Sequence, residues 1–185
     1  MESPQMPDIS RRVLDLGCGI NKTPGAIGLD FNFDATGADV IADVNSPLPF
    51  ADNVFDEVRA VHLIEHVFDV MKTMAEIHRV TKAGGEIYLV TPHYTDPLSW
   101  RDPTHRWHLN TYSFDYFDRF HGERHWYTRL ELRQRSLHVE LANLWKWMGL
   151  QWLVNHSRSI RRFWELYLSS IVRGKQMEFI FEVIK

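Results

Sequence analysis

Along the first half of the chain, apolar residues fall in short runs that end in a carboxylate or a glycine. Val13, Leu14 and Leu16 enclose one acid, Asp15, and predict a buried parallel strand over residues 11–16. Residues 26–30, Ala-Ile-Gly-Leu-Asp, repeat the pattern and predict a second strand. Only about a dozen residues separate the two, a length that a crossover helix would use up by itself. Pro24 and Gly25 interrupt that stretch, so the first crossover helix is expected to be absent or cut to a single turn. Residues 40–42, ending at Asp43, predict a third strand. Pro47 and Pro49 make residues 45–50 a loop. Residues 54–61 predict a fourth strand that ends near His62. Val67, Val70, Met71, Met74, Ile77 and His78 then recur at helical spacing and predict a helix with one buried stripe. Ala83-Gly84-Gly85 is expected to end that helix. Residues 86–91 form a fifth strand, stopped by Pro92. Strands alternating with crossovers imply an α/β fold, a parallel sheet with helices packed against it.

After Pro92 the periodicity is lost. His93, Tyr94, Asp96, Trp100, Arg101, Asp102, His105, Arg106, Trp107 and His108 crowd into residues 93–110. A loop at a strand's carboxyl end is where functional groups collect. Tyr112, Tyr116 and Phe120, four apart, predict a short helix over residues 111–120. Residues 126–139 read as a strand or hairpin, with Leu130 and Leu132 alternating with Arg129, Glu131 and Arg133. Leu141, Leu144, Trp145, Met148 and Trp152 predict a helix; Ile160, Phe163, Trp164, Tyr167, Leu168 and Ile171 predict another. Residues 177–184 alternate apolar with charged and predict a last strand. There is no internal repeat.

With 185 residues, 44% of them apolar, the chain can bury one sizeable core. Its formal charge of −3 is unevenly spread. Residues 1–120 hold 10 Lys/Arg against 18 Asp/Glu, and residues 121–185 hold 11 against 6. The basic back third either faces an anionic substrate or surface or complements the acidic front. Cys18 is the only cysteine, which excludes an internal disulfide and a cysteine metal cluster. Residues 1–12 contain no long apolar run, and no stretch of about 18 apolar residues could span a membrane. A cytoplasmic protein is expected.

The strand-to-loop run Val-Leu-Asp-Leu-Gly-Cys-Gly, residues 13–19, is the chemical focus. Two glycines after a strand permit a sharp bend and close approach of a ligand to the backbone. The run resembles the first motif of the class I S-adenosylmethionine-dependent methyltransferases, and within them the type 11 group. The resemblance continues in order through Asp30 at the end of the second strand and Asp43 with Pro47-Leu48-Pro49-Phe50 and Phe55-Asp56. It then takes in Leu63-Ile64-Glu65-His66-Val67, Ile77-His78-Arg79-Val80, Ala83-Gly84-Gly85 and Val90-Thr91-Pro92. It covers residues 11–93. It implies a Rossmann-like, mostly parallel sheet with an antiparallel last strand, a shortened first crossover and a helical insertion near the C-terminus. One domain over 1–185 is expected: a cofactor core at 11–93, acceptor-side loops and a helical lid at 94–175, and the last strand at 176–185.

The resemblance also implies S-adenosylmethionine as cofactor. Its contacts would come from Asp15, Gly17, Gly19, Asn21, Lys22, Asp30, Phe31, Asp43, Val44, His62 and Leu63. A carboxylate at Asp30 suits a ribose diol, and one at Asp43 can accept from an exocyclic amine. Backbone N–H groups at 17–19 suit the methionine carboxylate. Asn21 stands where the family often has a third glycine, and Asn21 and Lys22 are read as replacement ligands. A nicotinamide or flavin site fails here, because a Gly-x-Gly-x-x-Gly fingerprint would need glycine where Lys22 stands and a helix behind it.

In the histidine-rich stretch, Asp102, His105 and His108 are the candidate catalytic residues, with His105 as base for an acceptor hydroxyl. The same residues could instead fix the loop. His105, His108, Asp102 and His93 also form a loosely spaced set of metal ligands, and no metal is expected from it. His66 is read as steadying the start of the following helix. The basic, tryptophan-rich tail with Trp126, Trp145, Trp147 and Trp152 reads as a lid packed on the core, with Arg158, Arg161 and Arg162 as its solvated face. The expected reaction is O- or N-methylation of a small polar acceptor, anionic or glycan-like. A nucleic-acid partner is disfavoured, since there is no separate nucleic-acid domain. A methyltransferase-like binding module without turnover, or a nucleic-acid methyltransferase, is the alternative.

Overall fold

The computed structural model describes residues 11–34, 37–119, 128 and 130–185. The early apolar runs become strands β1 (Val13–Leu16), β2 (Ile27–Asp30), β3 (Val40–Ile41) and β4 (Phe55–Val61). Helix α1 (Val70–Val80) follows, then β5 (Thr81–Pro92) and the short α2 (Pro97–Arg101). After a single 3-10 turn at Asp115–Phe117 come β6 (Glu131–Leu141), helices α3 (Asn143–Trp147), α4 (Leu150–His156) and α5 (Arg158–Phe163), and β7 (Gly174–Ile184). Among the described residues the strands form one seven-stranded sheet in the order β3-β2-β1-β4-β5-β7-β6. The neighbours from β3 to β5 pair in parallel. β7 is antiparallel to both β5 and β6, as the Rossmann-like expectation with an antiparallel last strand required.

No helix joins β1 to β2, as the short, proline-broken connection predicts. Side chains brace this corner in place of a helix. Asp15 Oδ2 accepts from the Thr23 backbone N–H at 2.7 Å and holds the turn against β1. Lys22 Nζ reaches Asp39 Oδ2 at 2.8 Å, and that oxygen also accepts from the Gly28 N–H at 2.8 Å. Both bonds hold the Asp39 carboxyl below the usual carboxylate range.

Helix α1 begins where Asp69 caps it, accepting from the Lys72 N–H at 3.1 Å. It buries Thr73, Met74, Ile77 and Val80. Val67, first member of the predicted stripe, is buried but lies before the helix. The helix ends at Val80 and not at the glycines, because the Thr81 hydroxyl takes the Ile77 carbonyl (2.6 Å) and Thr81 turns extended. Residues 82–85 instead bulge out: Phe55 pairs with Thr81 but Glu57 with Glu86. Gly84 (φ 73°) supplies the left-handed step of that bulge. Arg79, near the end of α1, donates to the carbonyls of Leu48 and Phe50 and to Asp52 and Glu76, while Glu76 accepts from the Leu48 N–H at 2.7 Å. This pair clamps the proline loop that follows β3.

On β7, Met177, Phe179, Phe181 and Val183 are buried, and Phe114 packs edge-on against Phe179 with ring centroids 4.8 Å apart. The alternation read from residues 177–184 thus marks a core face. The strand expected over 126–139 begins at Glu131; residues 126, 127 and 129 lie outside the described residues, as does Phe120 of the predicted 111–120 helix, which is reduced to the single 3-10 turn.

The C-terminal insertion departs most from expectation. The helix read across 141–152 is split into α3 and α4 by Gly149, whose φ of 78° no helix accommodates. Residues 160–171 divide into α5 and a π-turn at Trp164–Leu168. Each piece is too short to lay a whole stripe against the sheet. Val154 and Trp164 are buried, whereas Trp147 is 87% exposed, and Leu144, Met148, Trp152, Phe163, Tyr167 and Ile171 are also exposed. The tryptophan stripe is therefore not the inner face of a lid. Arg161 is not on a solvated face either: it is half-buried and donates to the Leu137 carbonyl at 3.0 Å.

A buried pair ties this insertion to the sheet. His93, directly after β5, is fully buried, and its Nε2 lies 3.2 Å from Glu165 Oε1 in the π-turn. Thr111 donates to Glu165 through both its N–H and its hydroxyl. Burial alone would raise the Glu165 carboxyl, but the bonds from His93 and Thr111 outweigh it and hold the group below its ordinary range. A depressed folded value stabilises the fold above the unfolded pKa of about 4.3, and that contribution is lost as pH falls through the folded value. Glu165→Ala should cost about 3–5 kcal/mol at pH 7 by leaving His93 and Thr111 unpaired. Urea unfolding should show this deficit shrink below about pH 4; an undiminished deficit would mean that the carboxylate charge is not what the pair uses.

Candidate active site

The carboxyl ends of β1, β2 and β4 face one cavity of about 930 Å³. That is where an open α/β sheet binds its ligand. Gly17 forms part of its floor, at φ 65°, in a bend closed by its N–H to the Leu29 carbonyl at 2.8 Å. A Cβ at Gly17 would meet Leu63 Cδ1 at 2.8 Å and push that side-chain end aside, and the left-handed backbone there favours glycine. Asp30 ends β2 and reaches back to this bend. Its Oδ2 accepts from the Gly19 N–H at 2.9 Å and its Oδ1 from the Asn32 N–H at 2.8 Å. Each oxygen keeps a lone pair for a further donor. Asp43 Oδ1 accepts from both the backbone and the side-chain N–H of Asn45 (2.9 and 2.8 Å), which leaves Oδ2 free.

The opposite wall is built by the segment after β4 and the loop after α2. His62 ends β4 in the left-handed region (φ 52°), unusual for a residue with a side chain. Glu65 is 1% exposed. Its backbone carbonyl accepts from the N–H groups of Arg106 and Trp107, and Trp107 Nε1 donates to the Val67 carbonyl at 2.8 Å. The Phe68 N–H bonds Asn45 Oδ1 at 2.7 Å, and the Arg106 guanidinium sits 4.2 Å from the Phe68 ring centre. Three distant stretches, 43–45, 62–68 and 103–106, are thereby locked around one hollow.

Of the residues expected to bind a cofactor, Gly17, Asp30, Phe31, Asp43, Val44, His62 and Leu63 line the cavity. Asp15, Gly19, Asn21 and Lys22 do not. Asp15 and Lys22 are committed to holding the turn that replaces the crossover helix, and Gly19 shapes the bend from behind. Of the three catalytic candidates only His105 reaches the cavity. Asp102 is exposed and accepts from the N–H and hydroxyl of Thr104, with its Oδ2 3.9 Å from His105 Nε2. His108 stacks on Trp100 with ring centres 3.5 Å apart and bonds Ser99 Oγ through Nδ1. His93 is spent on Glu165, so the set His93, Asp102, His105 and His108 does not converge on an ion. No lining residue comes from 111–170, so among the described residues the insertion does not wall this cavity.

Sequence alone assigns no role in the site to Glu65, Thr104 and Arg106, and a different one to His66. His66 does not steady α1; its Nδ1 bonds Thr104 Oγ1 at 2.9 Å, across the cavity wall. The signal lay in the Leu-Ile-Glu-His run itself, a charged pair immediately after two apolar residues at a strand's carboxyl end.

The methyltransferase-domain family of type 11 matches residues 30–89. A demethylmenaquinone methyltransferase of Renibacterium salmoninarum is 35% identical over 103 residues, which make up 47% of this chain and 43% of that protein. The solved YcgJ protein from Bacillus subtilis superposes with a TM-score of 0.59 at 17% identity, covering 95% of this chain and 92% of that one. A SAM-dependent methyltransferase from Archaeoglobus fulgidus gives 0.58 at 21% identity, over 93% and 86% of the two chains. Residues 30–89 of this chain thus resemble the type 11 methyltransferase domain, and the 103-residue match to the Renibacterium protein extends that likeness. The two solved structures share the fold. The aligned part of the chain spans less than half the length of the curated relatives it matches.

S-adenosylmethionine is the cofactor of this family, and the cavity fits it. A glycine floor that a Cβ would fill lies beside one carboxylate with lone pairs to spare and another with a free oxygen. Among the described residues no helix is long and apolar enough to cross a membrane. Gly17→Ala should destabilise the fold by about 1–2 kcal/mol through its left-handed backbone, and should also displace Leu63 into the cavity. Denaturant midpoints check the first effect and calorimetry with S-adenosylhomocysteine the second; unchanged values in both would contradict the floor described.

Proposed function

We propose that this chain transfers a methyl group from S-adenosylmethionine to a small-molecule acceptor. The observation that carries the reading is the chemistry of the cavity lining. The carboxylates of Asp30 and Asp43, the imidazoles of His62, His66 and His105 and the guanidinium of Arg106 share one hollow with the glycine bend at Gly17. Asp30 would take the ribose hydroxyls and Asp43 the adenine edge, since an ionised carboxylate makes strong bonds to such donors. Gly17 lets the backbone approach the methionine portion. The donor supplies an electrophilic methyl carbon when bound. The protein's part is to align the acceptor, exclude water and receive the acceptor's proton. His105 is suited to receive that proton, because its side chain is 9% exposed and its ring is fixed by Nδ1 donating to the Ser99 carbonyl at 2.9 Å.

An oxygen, nitrogen or activated carbon acceptor fits these groups, because each sheds a proton on methylation, and one relative is named a C-methyltransferase. The curated relatives are named for methylation of quinone precursors, which supports a small-molecule acceptor over a macromolecule. Asp43→Ala should weaken S-adenosylhomocysteine binding by about tenfold or more, since a hydrogen bond to a charged group contributes ~1.5–3 kcal/mol. His105→Ala should slow methyl transfer to any acceptor found with labelled donor while leaving donor affinity near native. Calorimetry and single-turnover rates check both. A His105 variant that loses only donor affinity would reassign the residue to the donor side.

A further inference from the structure

At the cavity wall, possible ligand atoms of three side chains converge. One ligand atom each of Glu65, His66 and His105 lies within 4.8 Å of the other two. Glu65 is 1% exposed and its Oε2 accepts from the Thr91 hydroxyl at 3.1 Å. Its Oε1 is buried and has no hydrogen-bond partner; His62 Nδ1 stands 3.4 Å away without completing one. A buried carboxylate oxygen left in that state is costly unless a cation meets it.

The hydrogen bonds behind the two rings fix their tautomers. A backbone carbonyl only accepts, so His105 Nδ1 donates to Ser99 O and the lone pair sits on Nε2. The single hydroxyl proton of Thr104 goes to Asp102 Oδ1 at 2.7 Å. Thr104 Oγ1 therefore accepts from His66 Nδ1, which leaves that ring's lone pair on Nε2 as well. The rings meet edge to face with centroids 4.6 Å apart. Imidazoles anchored through one nitrogen by a carbonyl or hydroxyl, with the other nitrogen bare, are the arrangement metal-ligating histidines show.

We propose that Glu65, His66 and His105 bind a divalent transition-metal ion, best matched by zinc, with a coordination position open to the cavity. Two imidazoles and one carboxylate favour zinc and its neighbours over magnesium or calcium, which take oxygen ligands. Atoms bound to one ion at about 2.0–2.2 Å lie no more than about 4.4 Å apart, so loading draws the three groups slightly together. His66 and His105 both line the cavity, which places the open position beside the donor. Its role in turnover, though not its existence, rests on the methyltransferase reading. With the ion bound, His105 Nε2 is a ligand and no longer a base; an acceptor hydroxyl ligating the ion instead loses its proton to water more readily. Its oxygen then forms the C–O bond as the donor's S–CH₃ bond breaks, and that electron pair stays on sulfur.

The test uses the full chain, stripped with a chelator and titrated with Co²⁺, a zinc surrogate with visible absorption. One equivalent should bind to the native chain. Glu65→Gln, which preserves shape, and His105→Gln should each lose more than the ~10–100-fold that removing an outer-shell partner costs, and Thr104→Val, which removes only the His66 anchor, should lose about that much. His138→Gln, exposed on β6, should bind as the native chain does. Circular dichroism checks that each variant is folded. No saturable uptake by the native chain, or equal affinity in Glu65→Gln and Thr104→Val, would overturn the proposal. S-adenosylhomocysteine calorimetry on the stripped samples separates the two readings. Donor binding without cobalt uptake sinks the ion site alone; cobalt uptake without donor binding sinks the methyltransferase reading and leaves the ion site standing.

Discussion

The Asp30 carboxylate sits where the sheet ends and the ligand cavity begins, and both depend on it. Its two oxygens take the N–H groups of Gly19 and Asn32, so the glycine bend and the exit from β2 share one acceptor. Those backbone donors have no strand partner, and losing their common acceptor would loosen the loop. With the carboxylate in place, Gly17 keeps its left-handed turn and the cavity keeps a floor. A crossover helix would normally brace this corner. Here the Lys22–Asp39–Gly28 chain of contacts and the Asp15–Thr23 bond do so with a handful of side chains.

A second brace governs the far wall. Arg79 and Glu76 on α1 hold the loop between β3 and β4, and that loop presents Asp43 and Asn45. Asn45 in turn grips Phe68, and Glu65 grips the 106–107 backbone. Helix packing, loop position and cavity shape are thus one linked system. Groups whose spacing matters for chemistry are held from behind by backbone bonds, and their own polar atoms stay available.

The parallel half of the fold was legible because its strands are short, apolar and acid-tipped, a pattern set by burial on both faces. The absent first crossover could be read from chain length alone. The C-terminal insertion was less legible. Its apolar spacing is helical, but Gly149 and the π-turn break the period, and the stripe ends up largely outside. In the site, residues at or just after strand ends line the cavity, since a strand fixes where its last side chain points. The histidine-rich loop resisted because neighbours in sequence diverge in space: His93 turns into the core, His108 onto Trp100, and His105 alone faces the cavity. Asp15 and Lys22 illustrate the converse, for a side chain next to a ligand loop can spend itself entirely on shaping it.

The sheet has two borders, and each is unsuited to recruiting another strand. On one side β3 offers only Val40 and Ile41. On the other, β6 is long, but its pairing slips at Gln134/Ser136 and again at Glu140/Leu141, which twists the outer backbone out of line. Asp118 and Arg119 lie against Leu132 and occupy part of that rim, with the Arg119 N–H bonding the Leu132 carbonyl at 2.9 Å. Arg133 and Arg135 add charge there. Cross-strand polymerisation of the kind that seeds fibrils therefore finds no template at either border, despite the aromatic groups this molecule shows to water elsewhere.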